Sequence, residues 1–324
     1  MLKKIFIVIL SIFLVSCFLY RETLVRIYEG LLQYQTSADR AKYYQLENTT
    51  IQDITQKLIL DESIPQALKQ PLIDGKRRIV IFKYLSGSEY VAGYLSYLTN
   101  TQQPTMIFLR GGNGYFGIMR PNNPFSFLDG YNIVGTLYRG NIYGGVDEFG
   151  GEDIQDVENL IKFFPQLENF THIKLQAPYG MIGVSRGAME MFIALSQLKF
   201  VKERVSHAIS ISGNVDLNLS MNRRPEMKYL FWTKFKETGE SDFENWINAR
   251  DPVKNAPNLS KSLKVLLVYG MADNRVYLEE QQNFKKAIEA QDINVELVTV
   301  PNAQHGFDGH FDDLAKIIKK FMNQ

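Results

Sequence analysis

From residue 79 onward the chain alternates short runs of β-branched and aromatic residues with stretches whose apolar positions recur every three or four residues. Residues 79–82 and 91–98 read as an opening hairpin. Residues 105–109 form a short apolar run, and residues 131–138 form another strand. Residues 154–164 have the spacing of an amphipathic helix, with Ile154, Val157, Leu160 and Ile161 on one face. Residues 180–184 predict a buried strand, and a helix follows from Arg186 to about Leu198. Further strands are expected over 208–211, 265–269 and 295–300, with helices over 278–288 and 311–321. Strands alternating with helices predict an α/β fold, with a mostly parallel central sheet covered by helices on both faces.

Two stretches break this rhythm. Residues 218–250 hold both tryptophans, Trp232 and Trp246, and are expected to form a helical lid insert. Residues 21–75 mix polar and apolar positions without strand signals. Residues 51–60 have helical spacing, and Pro65 and Pro71 punctuate the end. A helical stalk or cap is therefore expected over 17–75 and the main domain over 76–324. The chain has no internal repeat, which argues against a propeller or solenoid.

The first residues form a separate signal. Lys3 and Lys4 precede an uncharged apolar run over residues 5–15, the pattern of a translocon-directed leader over 1–16. The run is shorter than the roughly 20 residues a spanning helix needs. Leu14-Val15-Ser16-Cys17 resembles a bacterial lipobox and carries the chain's single cysteine, which makes Cys17 a lipidation candidate. Phe18-Leu19-Tyr20 stays apolar after the cysteine, so an uncleaved signal anchor competes with the lipoprotein, and full secretion is the third reading. All three put the rest of the chain outside the cytoplasm, in the bacterial cell envelope or periplasm. The first two tether it to the membrane through its N-terminal anchor, by lipid chains or by a spanning helix.

Composition narrows the chemistry. The 324 residues carry a net charge of +1 and no long basic block, so no nucleic-acid partner is expected. One cysteine rules out an intramolecular disulfide. The four histidines are His172, His207, His305 and His310; only His305 and His310 have a spacing that could hold a metal, a weak signal against the catalytic pattern below, so neither metal nor cofactor is expected. Nothing in the pattern sets an oligomeric state.

The nucleophile candidate is Ser185. Gly183-Val184-Ser185-Arg186-Gly187 matches G-x-S-x-G between a predicted strand and a predicted helix. That spacing puts a serine on a sharp turn with its hydroxyl exposed, and turns the N–H of the next residue, Arg186, toward a developing oxyanion. A serine hydroxyl needs a base to take its proton. His305 follows the last predicted strand; His310, five residues on, is its competitor. The orienting acid candidate is Asp273, directly after the strand at 265–269, although an aspartate there could instead cap the helix at Leu278. The order Ser185, Asp273, His305 is the triad order of α/β-hydrolases. Gly111 and Gly112, after the strand at 105–109, are candidates for the second oxyanion donor.

The segments GVSRG, YGMADNRV, NAQHGF, RGGNGYFG and YRGNIYGGVDEFGGEDIQDV resemble the prolyl oligopeptidase branch of the α/β-hydrolase superfamily over roughly residues 79–324. The resemblance implies Ser185 as nucleophile, Asp273 as acid, His305 as base and the Arg186 N–H as an oxyanion donor. It also shows two departures. Many relatives carry His or Tyr at the position of Arg110, and in the dipeptidyl peptidases that tyrosine gives its hydroxyl to the oxyanion hole. Here the N–H groups of Gly111 or Gly112, or the Tyr115 hydroxyl, must serve. The large peptidases of the branch also carry a β-propeller, for which this chain has no room. Asp147, Glu148, Asp153 and Asp156 cluster near Arg139 and read as structural ion pairing. Two functions follow as expectations. One is an extracytoplasmic serine hydrolase that cleaves small-molecule esters or peptides through an acyl-enzyme. The other is a catalytically inactive binding protein on the same fold.

Overall fold

The computed structural model describes residues 35–99, 103–122 and 128–324. The leader over 1–16 and Cys17 lie outside the described residues. Among the described residues no helix is long and apolar enough to cross a membrane.

Among the described residues, nine strands form one sheet in the order β1-β2-β3-β5-β4-β6-β7-β8-β9. They are β1 (Ile51–Asp53), β2 (Arg77–Ser86), β3 (Glu89–Leu98), β4 (Thr105–Leu109), β5 (Asn132–Thr136), β6 (Tyr179–Val184), β7 (Val205–Ile211), β8 (Lys264–Gly270) and β9 (Asn294–Val300). β1, β2, β3 and β5 pair antiparallel, and every pairing from β5 through β4 to β9 is parallel. The alternating and apolar runs of the sequence therefore land on the strands they predict. The central strands β4 and β5 are buried along their whole length, as strands covered on both faces must be.

Side chains alternate between the two faces of each strand, and the two faces carry separate cores. Val80, Phe82, Ile107, Leu109, Met181 and Leu267 point to one core. It is covered by the helices Gln155–Lys162, Arg186–Gln197 and Leu278–Glu289. Ile79, Ile81, Met106, Phe108, Ile182 and Val268 point to the other, covered by the residue 41–72 segment and the helix Phe311–Met322.

Two expectations change here. The 17–75 segment does not stand apart as a stalk or cap over its described part. Residues 51–53 form β1, which pairs with β2, and Tyr43, Tyr44, Leu58 and Leu72 are buried in the second core. Helical spacing at 51–60 survives only in Thr55–Leu60; an open sheet edge at β2 captured residues 51–53. The 218–250 insert is helical, as Leu217–Arg223, Pro225–Thr238 and Phe243–Asn248. However, it packs on the first core, where Phe231 and Trp246 are fully buried and Phe149 meets Phe231 edge to face. Phe231, Phe235 and Trp246 thus serve that core, while Tyr229 and Trp232 stay exposed.

Candidate active site

The chain reverses its direction of growth across the sheet at β4, whose neighbours are β5 on one side and β6 on the other. Such a switch point opens a crevice outside the carboxyl ends of the strands. Gly111 leaves β4 and Ser185 leaves β6 at this crevice.

Ser185 sits between β6 and the helix Arg186–Gln197 with φ 53° and ψ −119°. A positive φ at a non-glycine residue costs on the order of 1–3 kcal/mol and persists only where its surroundings fix it. The surroundings are tight. The Ser185 N–H donates to the Ile211 carbonyl at 3.0 Å. A Cβ on Gly183 would lie 2.4 Å from the Gly187 oxygen, and one on Gly187 would lie 2.0 Å from the Leu109 oxygen. Both glycines of the motif are thus required by close approach, and Gly187 brings the elbow against the end of β4.

His305 lies in the loop after β9, and its Nδ1 is 2.8 Å from Asp273 Oδ2. The Asp273 side chain is fully buried. Its Oδ1 accepts the N–H groups of Arg275 and Val276, at 2.8 and 3.0 Å. Burial pushes the Asp273 pKa up. The hydrogen bond and charge of His305 and the two backbone N–H groups outweigh it, so the carboxyl ends below its ordinary value. An ionised carboxylate on Nδ1 keeps the proton there and leaves Nε2 as the acceptor, the tautomer a general base needs. Asp273 does not cap the following helix, whose N-cap is Tyr277. His310 stands at the start of the helix Phe311–Met322, 3.4 Å from Asp313, and does not line the cavity that holds Ser185.

That cavity has a volume of about 470 Å³ and brings together Ser185, His305, Gly111 and Gly112. Phe108, Phe116, Val184, Ile211, Phe307 and Leu314 supply apolar wall, and Ser37 and Arg40 close it from the N-terminal segment. It lies on the side of the second core. For this reason the 218–250 insert contributes none of its lining, and Arg223 and Arg224 pair with Glu279 and Glu226 instead.

Arg110 and Arg186 gave no side-chain signal in the sequence, yet both organise the site. Arg110 is 1% exposed. Its guanidinium donates to the carbonyls of Leu137, Gly111, Phe116 and Gly114 at 2.7–3.1 Å. The side chain at the position of the relatives' His or Tyr therefore clamps the loop after β4 from within. Tyr115 does not line the cavity, while Gly111 and Gly112 do.

The Arg186 side chain points the opposite way from Ser185 and is 1% exposed. It donates to Asp147 at 2.7 Å, Asp153 at 2.5 Å, Glu190 at 2.9 Å and the Gly112 carbonyl at 3.0 Å. The acidic cluster is thus divided: Asp147 and Asp153 belong to Arg186, and only Asp156 pairs with Arg139, at 2.7 Å. Glu148 accepts the Glu152 N–H. One arginine cannot neutralise three carboxylates in a dry site. Burial pushes Asp153 up to about 6, and burial with the charges of Asp153 and Asp147 drives Glu190 well above its ordinary value. The protonated form of the Glu190 carboxyl is thereby favoured over the ionised one.

A strained serine elbow at the switch point of this sheet, with an Asp–His pair beside it, defines the α/β-hydrolase class of serine hydrolases. The prolyl oligopeptidase family model matches residues 132–323, and the chain belongs to that family. A dipeptidyl aminopeptidase BIII of Pseudoxanthomonas mexicana is 24% identical over 225 residues, 63% of this chain and 30% of its own length. The acylaminoacyl peptidase of Pyrococcus horikoshii superimposes with a TM-score of 0.61 at 21% identity, covering 79% of this chain and 42% of the peptidase. A Pyrococcus furiosus esterase superimposes with a TM-score of 0.56 at 19% identity, covering 75% of this chain and 89% of the esterase. The chain thus spans less than half the length of these two peptidases, and nearly all of the esterase's length.

Proposed function

We propose that this serine hydrolase cleaves ester or amide bonds of small acyl esters and short peptides through an acyl-enzyme, outside the cytoplasm. Ser185 attacks the carbonyl carbon, and His305 Nε2 takes the hydroxyl proton and returns it to the leaving group. Asp273 holds the imidazole tautomer and steadies its charge. The N–H of Arg186, with that of Gly111 or Gly112, stabilises the oxyanion. Water then attacks the acyl-enzyme with the same histidine as base, and the acid product leaves.

One observation carries the reading: a buried, ionised Asp273 on His305 Nδ1 at 2.8 Å, with His305 and Ser185 on the wall of one cavity. The basic, apolar leader supports the location. A fluorophosphonate probe tests the chemistry. It should label the wild type at Ser185 and leave Ser185→Ala unlabelled. Labelling that survives in Ser185→Ala assigns the wrong nucleophile.

A further inference from the structure

The charges around the cavity do not balance. Arg40 and Arg275 line it, against the single carboxylate of Asp308. Arg40 comes from the helical residues 35–41, outside the strand-helix alternation. That segment is seated where the Gly117 N–H donates to Ser37 Oγ at 3.2 Å, so Arg40 hangs over the loop that follows β4.

Arg40 has no acidic partner within ion-pair distance among the described residues, and its Nε is buried without a hydrogen bond there. The charge that acts on it most strongly is a like one, Arg120. Burial first, and Arg120 second, lower the Arg40 pKa. Arg120 Nε is likewise buried without a partner, and its Nη2 donates to Ser63 Oγ. The acid near this pair, Asp61, is occupied by the Tyr43 hydroxyl and by Ser63. Two adjoining guanidinium groups repel each other and lose hydration where they are buried. A fold offsets such a cost with an anion, and a guanidinium fork matches a carboxylate in two parallel hydrogen bonds.

We infer that Arg40, backed by Arg120, forms an anion-recognition site in the cavity of Ser185, which selects substrates bearing a carboxylate. The inference rests on the hydrolase reading for its substrate and deepens it. The cavity of about 470 Å³ that Ser185 and Arg40 both line has room for an acyl group of a few carbons or for one to two amino-acid residues. The carboxylate has two sources: the far end of a dicarboxylic acyl chain, or the free C-terminus of a short peptide. A dipeptide-releasing site needs the opposite charge, a carboxylate pair to hold an amine, and the described lining offers Asp308 alone.

The experiment compares matched pairs. The p-nitrophenyl monoester of adipic acid is set against its terminal carboxamide, and short peptides with a free C-terminus against their C-terminal amides. A charge-assisted hydrogen bond contributes about 1.5–3 kcal/mol, or roughly 10- to 100-fold. The wild type should favour the carboxylate member of one pair by about tenfold or more in kcat/KM, and the favoured pair identifies the source. Arg40→Gln should bring that ratio close to one, and Arg40→Lys should restore part of it. A binding arm is independent of turnover: in the Ser185→Ala background, adipic acid monoamide should raise Tm, and adding Arg40→Gln should remove the rise. A wild type indifferent to the carboxylate in both pairs, or a preference that survives Arg40→Gln, overturns the inference. If no substrate turns over and no probe labels Ser185, the hydrolase reading fails, while the Tm arm still decides the anion site.

Discussion

Ser185 and Arg186 are neighbours in the chain and opposites in the fold. The serine takes a left-handed backbone at the mouth of a cavity, beside one histidine and one buried carboxylate. The arginine turns inward and meets three carboxyl groups and the Gly112 carbonyl with almost no water contact. The turn puts consecutive side chains on opposite sides of the elbow. Chemistry that needs access faces outward, and the charges that hold the turn and the loop after β4 together are sealed behind it. Arg186 therefore plays two roles through different atoms. Its backbone N–H is a proposed oxyanion donor, and its side chain holds Gly112, which with Gly111 is a candidate for the second donor.

Substitutions on the two sides should separate activity from stability. Ser185→Ala carries the largest expected effect on turnover, a loss on the order of 10⁶ in kcat by analogy with other serine hydrolases. It should leave Tm within about 2 °C, because it deletes one half-buried hydroxyl on the cavity wall and no packing group. Near wild-type hydrolysis by this variant would break the comparison on its active side. Asp273→Asn preserves the shape but favours the wrong imidazole tautomer, with an expected fall on the order of 10⁴ in kcat. A pH–rate profile with Michaelis constants should show the loss in kcat rather than in KM.

Arg186→Met tests the sealed side. It strands carboxyl groups that share one guanidinium, and removing one partner of a buried pair costs about 3–5 kcal/mol. Urea unfolding should show that loss, together with a lower kcat from a loosened loop. A variant as stable as the wild type would mean that the network contributes no stability.

The smallest expected effect on turnover belongs to Glu190→Gln. Glu190 has a raised folded pKa, so its contribution to stability is fully present below the ordinary carboxyl pKa near 4.5 and is lost as pH rises through the folded value. Glutamine mimics the protonated acid. The variant should match the wild type near pH 4, below the ordinary carboxyl range, and gain on it in Tm as the pH rises above that range. Arg186, Asp147, Asp153 and the more distant Arg250 all act on this site. The same pH dependence in both proteins would show that Glu190 is ionised in the folded state.

Much of this molecule was decided locally and was therefore legible in the sequence. Strands β2 to β9 follow from β-branched and aromatic runs, because a strand covered on both faces needs apolar residues along its length. The placement of Ser185, Asp273 and His305 was readable because each follows a strand, and chain order fixes which ends of a parallel sheet they occupy. The glycines at 183 and 187 were readable because close approach at a tight turn tolerates no side chain. Long-range pairing decided the rest. Asp147 and Asp153 lie within 14 residues of Arg139 in the chain, yet they pair with Arg186, more than 30 residues away. Sequence proximity does not say which cation a buried carboxylate will meet. The aromatic 218–250 insert went to the first core because that face had apolar surface left to cover. The polar 35–46 segment was drawn over the cavity by β1, which filled an open sheet edge. Which peripheral segment covers the site depends on which sheet face its connection reaches. That is a property of the assembled sheet, and no local pattern in the chain encodes it.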